Sequence, residues 1–194
     1  MARPREFDID EALSQAMVVF WEQGYRSCSL DNLIESMSVS RQSIYCAFGD
    51  KHSIFLKVLE LYRKENLTAI GEMLKEQGSP ITVLHSFLSY AIAPADERNC
   101  PEGCLVMNTA LEFGTSDSAV TAEIQKMLSG MERLLVQIVA RGQSVGEISI
   151  RTDASSVARI LLNSLCGIRV LQKAGTSQKE LKNIANALML ILAA

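Results

Sequence analysis

Long apolar runs are missing from this 194-residue chain: none approaches the ~20 residues that cross a bilayer. The stretch ALMLILAA at residues 187–194 is too short and continues an amphipathic pattern. The opening MARPREFDIDEAL lacks the apolar core of a secretory signal. The expectation is a chain that avoids the membrane and works in the cytoplasm, with five cysteines kept as free thiols. A basic excess is missing too. Lys and Arg number 19 against 22 Asp and Glu, a net charge of −3. Residues 1–65 alone hold eight basic against ten acidic side chains. A nucleic-acid partner would therefore have to be held by a few placed groups, not by bulk charge. Catalytic signatures are absent as well. There are two histidines, His52 and His85, and no HExxH, Walker loop, G-x-S-x-G or dinucleotide fingerprint. Glu112 and Asp117 read as surface carboxylates, not as an acid/base pair. No enzyme, cofactor or metal site is expected.

What is present is a globular composition, 48% hydrophobic and 21% charged. The periodicity is helical throughout. Asp8 opens a first helix, with Glu11 at capping-box spacing. Ile9, Ala12, Leu13, Ala16, Met17 and Phe20 recur on one face until Gly24 stops it. Trp21 and Tyr25 read as packing residues. Ser29 caps a second helix carrying Leu30, Leu33 and Ile34 inward, and its helix N-terminus is also suited to a phosphate. After the turn Met37-Ser38-Val39, which lacks the usual glycine, a third helix starts near Ser40. Ile44 and Phe48 face its core, and Arg41, Gln42 and Tyr45 fall together on the other side.

That division suits a helix-turn-helix whose second helix enters the DNA major groove. Arg41 can grip guanine and Gln42 adenine through paired hydrogen bonds, while Tyr45 suits a phosphate. Ser40 and Ser43 are candidate positioning contacts beside them. Arg3 and Arg5 form a basic arm that is either a frayed terminus or a contact to phosphate or the minor groove. A polar face with one arginine is also what a merely solvated helix shows, and residue spacing leaves that alternative open.

The run Val39-Ser40-x4-Tyr45-x2-Phe48-x2-Lys51, following the helix at residues 29–36 and the helix closed by Gly24, resembles the tetracycline-repressor-like (TetR) family of bacterial regulators. The match covers about the first 60 residues, and RPREFD and YCAFGDK are similar to one branch of the family. The resemblance implies an all-α protein: a three-helix DNA-binding head at residues 1–50 and a helical effector-binding and dimerisation body at 51–194. It implies a phosphate contact for Lys51, with Asp50 as the adjacent N-cap. Where many members place an aromatic or His before Phe48, this chain has Ala47, so no contact is assigned there. A fourth helix over about residues 51–76, some 35–40 Å long, links the two parts, and the resemblance implies that it swings the head when an effector binds. Partners would be double-stranded operator DNA, a second copy of the chain, and a small, largely apolar effector.

In the body, Ile81–Ala93, Cys104–Phe113, a long segment from Val120, a segment opened by Ser155 or Asp153 and running to Leu171, and Ser177–Ile191 read as helices, with residues 94–103 as a loop. His85, Cys104, Met107, Asn108, Leu111, Met127 and Met131 are candidate walls of an effector pocket. A methionine-filled core has the same signature. The last two helices carry a second apolar face, Leu162, Cys166 and Val170, then Ala187 and Leu190. This second face suggests a four-helix dimer interface. Cys100 and Cys104 leave an alternative open, a thiol- or metal-sensing repressor. GCLVMN, similar to a body segment of the same branch, favours Cys104 as a packing residue. A helical adaptor that binds no DNA is the alternative from another class.

Overall fold

A computed structural model describes residues 7–98 and 100–193. Among them are ten helices and no strand, with one isolated bridge between Ile148 and Ala193. The candidate arm residues Arg3 and Arg5 lie outside the described residues.

Three short helices come first: α1 (Ile9–Gln23), α2 (Leu30–Met37) and α3 (Arg41–Phe48). Each starts where a side chain takes up free backbone N–H groups. Asp8 accepts from Asp10 and Glu11, Ser29 forms a reciprocal capping box with Asn32, and Ser40 accepts from Ser43. Ser38 supplies the left-handed residue of the turn, φ 52°, a role that glycine fills without steric cost. Ala16, Phe20, Leu33 and Ile44 form the centre of this unit, and α1 packs on both α2 and α4.

Helix α4 (Lys51–Leu74) is capped by Asp50 and has 24 residues, a rod of about 36 Å. It lays Ile54, Phe55, Val58, Leu59 and Tyr62 into the core. Beyond it come α5 (Pro80–Ile92), α6 (Ala95–Arg98), α7 (Leu105–Phe113), α8 (Ser118–Ser144), α9 (Ala154–Lys173) and α10 (Gln178–Leu192). The single turn α6 sits inside the stretch expected to be loop. Helix α8 is central, packed along α9 on one side and α4 on the other. The α8–α9 connection is held by Gln143, whose amide donates to the Ser149 and Thr152 carbonyls.

Helix α9 is long and apolar enough to cross a membrane by length and composition alone, and only 28% of its apolar stretch is buried within the chain. Ile160, Val170 and Leu171 stand exposed along it, and Ile184, Leu190 and Ile191 along α10. The residues of the expected second face divide here. Val170, Ala187 and Leu190 do point outward, but Leu162 and Cys166 turn inward, toward a cavity. Ile160, Leu171, Ile184 and Ile191 are exposed in their place. A helix with apolar residues most of the way round does not state, by spacing, which arc its own chain covers.

Candidate nucleic-acid interface and effector cavity

Ile44 and Phe48 anchor α3 from behind, which leaves Arg41, Gln42, Tyr45 and Cys46 exposed in front. Ser40 and Ser43 are committed to the start of the helix: the Ser43 N–H donates to the Ser40 hydroxyl, and the two hydroxyls lie 2.8 Å apart. The Ser29 hydroxyl is likewise occupied, accepting from the Asn32 N–H and donating to the Asn32 side chain. Arg41 is ion-paired with Asp31 in the first turn of α2. Both partners are well exposed, so the pair holds the guanidinium in place at little energetic cost to breaking it. Lys51 sits with its ammonium 4.2 Å from the centre of the Tyr25 ring, a cation–π contact. Backbone and side-chain hydrogen bonds from Ser53 hold the Asp50 carboxyl below its usual range, so it stays charged beside this face.

The first turn of α4 and the α1–α2 turn are tied to the far side of the molecule. The Glu112 carboxylate, on α7, accepts from the N–H of Tyr25 at 2.8 Å and of Arg26 at 2.6 Å. His52 lies 2.8 Å from Asp117, which also caps α8 through Ala119 and Val120. Tyr25 packs on Phe20, Phe55 and Phe113, and Trp21 stands edge-on to Tyr62 while donating to the Glu102 carbonyl. A Cβ on Gly24 would stand 3.1 Å from the Glu112 carboxylate, and its φ of +79° already favours glycine. Glu112 and Asp117 are thus structural ties, not free surface carboxylates. In a sequence, an acid that seals another segment's turn looks the same as a solvated one.

A cavity of about 380 Å³ opens between α1, α4, α5, α7, α8 and α9, within the range of small-ligand sites. Cys104, Met107, Met127 and Met131 line it. The other three candidates do not. His85 belongs to a separate surface hollow beside α10. Leu111 is 76% exposed, and the Asn108 amide is directed at the Trp21 carbonyl, 3.4 Å away. These three sit on α5 and α7 positions that the helical period places near the cavity but that packing turns aside.

Missing from the sequence reading are Trp21, Tyr62, Phe87, Leu165 and two arginines, Arg98 and Arg169. Arg169 had a visible signal, a lone cation within SLCGIRVL. Arg98, inside Asp96-Glu97-Arg98, had none. Cys100, Cys104 and Cys166 all border the cavity as free thiols, and the Tyr62 hydroxyl lies 3.3 Å from the Cys104 sulfur. Among the described residues no three His, Cys, Asp or Glu gather as metal ligands.

A family model described as bacterial regulatory proteins, tetR family, matches residues 12–58. A second, described as a tetracyclin repressor-like C-terminal domain, matches residues 80–188, more than half the chain. The chain belongs to the TetR family. As a TetR-family member it is a DNA-binding transcription regulator and not an enzyme. It is similar to the HTH-type transcriptional repressor ComR of Escherichia coli, 27% identical over 94% of this chain and 88% of that protein. It is similar also to the HTH-type regulator YezE of Bacillus subtilis, 25% identical over 99% of this chain and all of that one. Among solved structures, a cysteine mutant of the TetR-family regulator CifR bound to 26-base-pair operator DNA superposes with a TM-score of 0.85. It is 29% identical, and the match covers 97% of this chain and 98% of that one.

Proposed function

We propose that this TetR-family chain is a homodimeric, ligand-responsive repressor. Residues 1–50 would read a near-palindromic operator in the cytoplasm, and residues 51–194 would bind the effector and pair the subunits. The observation that carries this reading is a single rod. Helix α4 presents Lys51 and His52 at the reading end and Tyr62, Asn66 and Ile70 at the cavity. An effector that prefers one packing of the cavity walls shifts α4 and its first turn, which His52 ties to Asp117 beside the α1–α2 turn held by Glu112. Two heads related by a twofold axis fit half-sites one helical turn apart, and a change in their spacing breaks that fit.

In this reading Arg41 and Gln42 address bases, and Arg41 exchanges Asp31 for DNA on binding. Tyr45 and Lys51 address phosphates. Ser29, Ser40 and Ser43 position their helices, with backbone N–H groups at those helix starts facing the phosphates. Val170, Ala187 and Leu190, joined by Ile160, Leu171, Ile184 and Ile191, form the dimer face. A gel shift with the DNA upstream of the chain's own gene, repeated at rising salt, tests the reading. Arg41→Ala and Gln42→Ala should change base preference, while Lys51→Ala should weaken all sequences alike and flatten the salt slope. Specific binding unchanged in both Arg41→Ala and Gln42→Ala sinks the assignment of the reading face.

Three thiols on one cavity favour a second reading, in which the signal is oxidation or modification at Cys100 and Cys104. Combining Cys100→Ser with Cys104→Ser separates the two, since induction that survives the double change excludes sensing at those two thiols.

A further inference from the structure

We infer that the cavity is built for an organic anion, a small carboxylic acid with an apolar body, held by Arg98 and Arg169. This deepens the effector reading and rests on it for the regulatory consequence, though not for binding. The Arg98 side chain is only 3% exposed. Its Nε donates to the Ala93 carbonyl at 2.8 Å, and its Nη1 reaches the Cys100 sulfur at 3.0 Å, a weak acceptor. Among the described residues its Nη2 has no hydrogen-bond partner. The nearest carboxylate oxygen, on Glu102, is 3.8 Å away, and Glu102 is half exposed with its other oxygen accepting from the Ala95 N–H.

Arg169, on α9, lines the same cavity and donates from Nη1 to the Gln172 side chain at 3.1 Å. Burial, and next the charge of Arg98, holds its guanidinium below the usual value. The thiols and the Tyr62 phenol nearby offset this only in part, and burial keeps that phenol well above its ordinary range, so it remains neutral. Glu65 lines the cavity too, but its side chain is exposed to water.

A guanidinium as buried as that of Arg98, with its Nη2 donor unspent and the partly buried Arg169 on the same cavity, is costly unless an anion completes the site. A carboxylate matches the guanidinium fork through paired hydrogen bonds. The remaining wall, with Met17, Trp21, Phe87, Met127 and Met131, fits an apolar chain or ring. The side-chain acceptors on the lining are few, the exposed Glu65 carboxylate, the Asn66 amide and the Tyr62 and Tyr90 hydroxyls, against two guanidiniums that only donate.

The test is calorimetric titration of the full-length protein with butyrate, benzoate and phenylacetate, each against its own primary amide. At least one acid should bind ten-fold or more tightly than its amide. Arg98→Gln and Arg169→Gln should abolish that preference, with Arg98→Lys retaining part of it, and melting curves showing which variants are folded. The acid-to-amide comparison in the unaltered protein stands even where a variant fails to fold. If no acid outbinds its amide, or if the folded Gln variants keep the preference, the inference is overturned. A gel shift with the same compounds separates the two levels. Arginine-dependent acid binding without operator release supports the anion site and removes its effector role. Operator release by a neutral compound, with no acid preference, overturns the anion site and leaves the effector reading intact.

Discussion

The Glu112 carboxylate gives the most direct test of how the two ends of the molecule are joined. It receives the backbone N–H groups of Tyr25 and Arg26 from another part of the chain, at 2.8 and 2.6 Å. Removing it by Glu112→Ala leaves both donors without their acceptor in a partly buried turn. A hydrogen bond to a charged group contributes about 1.5–3 kcal/mol. Glu112 is only half-buried, so water recovers part of the loss, and about 2–3 kcal/mol for the pair is reasonable. Unfolding entropy near the midpoint is about 2.1 cal/mol/K per residue, or roughly 0.4 kcal/mol/K for a chain of this length. The expected fall in midpoint is therefore about 5–7 °C, read by calorimetry at one fixed protein concentration because a dimer's midpoint depends on it. Leu111→Ala is the control, on the same helix with its side chain in solvent. Glu112→Gln keeps one acceptor oxygen and should fall between. If the Glu112→Ala midpoint lies within about 1 °C of the parent, the carboxylate contributes nothing net and the tie is incidental.

The two crowded glycines of α8 should behave differently. A Cβ on Gly142 would meet the fully buried Ile148 at 2.5 and 2.7 Å, so Gly142→Ala should lose about 1–2 kcal/mol by denaturant titration, overpacking less the helix gain. Gly130→Ala presses chiefly on the methyl ends of the half-buried Leu67 side chain, which can swing away, and should cost less; the reverse order would refute this. Leu190→Asp with Ile191→Asp places charges on residues 78% and 75% exposed in the single chain. Sedimentation velocity should show dimerisation weakened by about 100-fold in affinity with the monomer still helical, and an unaltered dimer would move the interface elsewhere. Stability should be flat near neutral pH and decline as pH falls below about 4.5, followed by circular dichroism. Backbone N–H groups of Ser53 and Val120 chiefly hold Asp50 and Asp117 below their ordinary values, and the Ser156 and Ser177 side chains do so for Asp153 and Glu180. Burial alone would raise Glu123, but Lys126 and Arg63 more than offset it. Each carboxylate therefore stabilises the fold above its unfolded pKa, and that contribution is lost as the folded group protonates. A midpoint constant down to pH 3 would contradict this.

Helix starts, helix faces and the α2–α3 arrangement were legible because they depend on residues within four positions of one another. Asp8, Ser29 and Ser177 cap helices in the structure, as hydroxyl and carboxylate placement indicated, Asp50 does so as the family resemblance implied, and of Ser155 and Asp153 the structure chooses Asp153. The 3.6-residue period likewise separates Ile44 and Phe48 from Arg41, Gln42 and Tyr45 without reference to any other helix. It does not say that Arg41 leans on Asp31 or that Lys51 lies over Tyr25, since those partners come from separate helices and turns.

In the second half of the chain the local rule gives less. Leu162 and Cys166 were separable from Ile160 and Leu171 only once α8 had chosen which arc of α9 to cover. Glu112, Arg98 and Arg169 carry charges whose meaning depends on burial, and burial is a property of the assembled helices. By itself the sequence determined an all-helical chain with an exposed donor face on α3, because capping and periodicity are short-range. Only the tertiary structure decided that two arginines share one cavity with three thiols, because helices distant in sequence meet there.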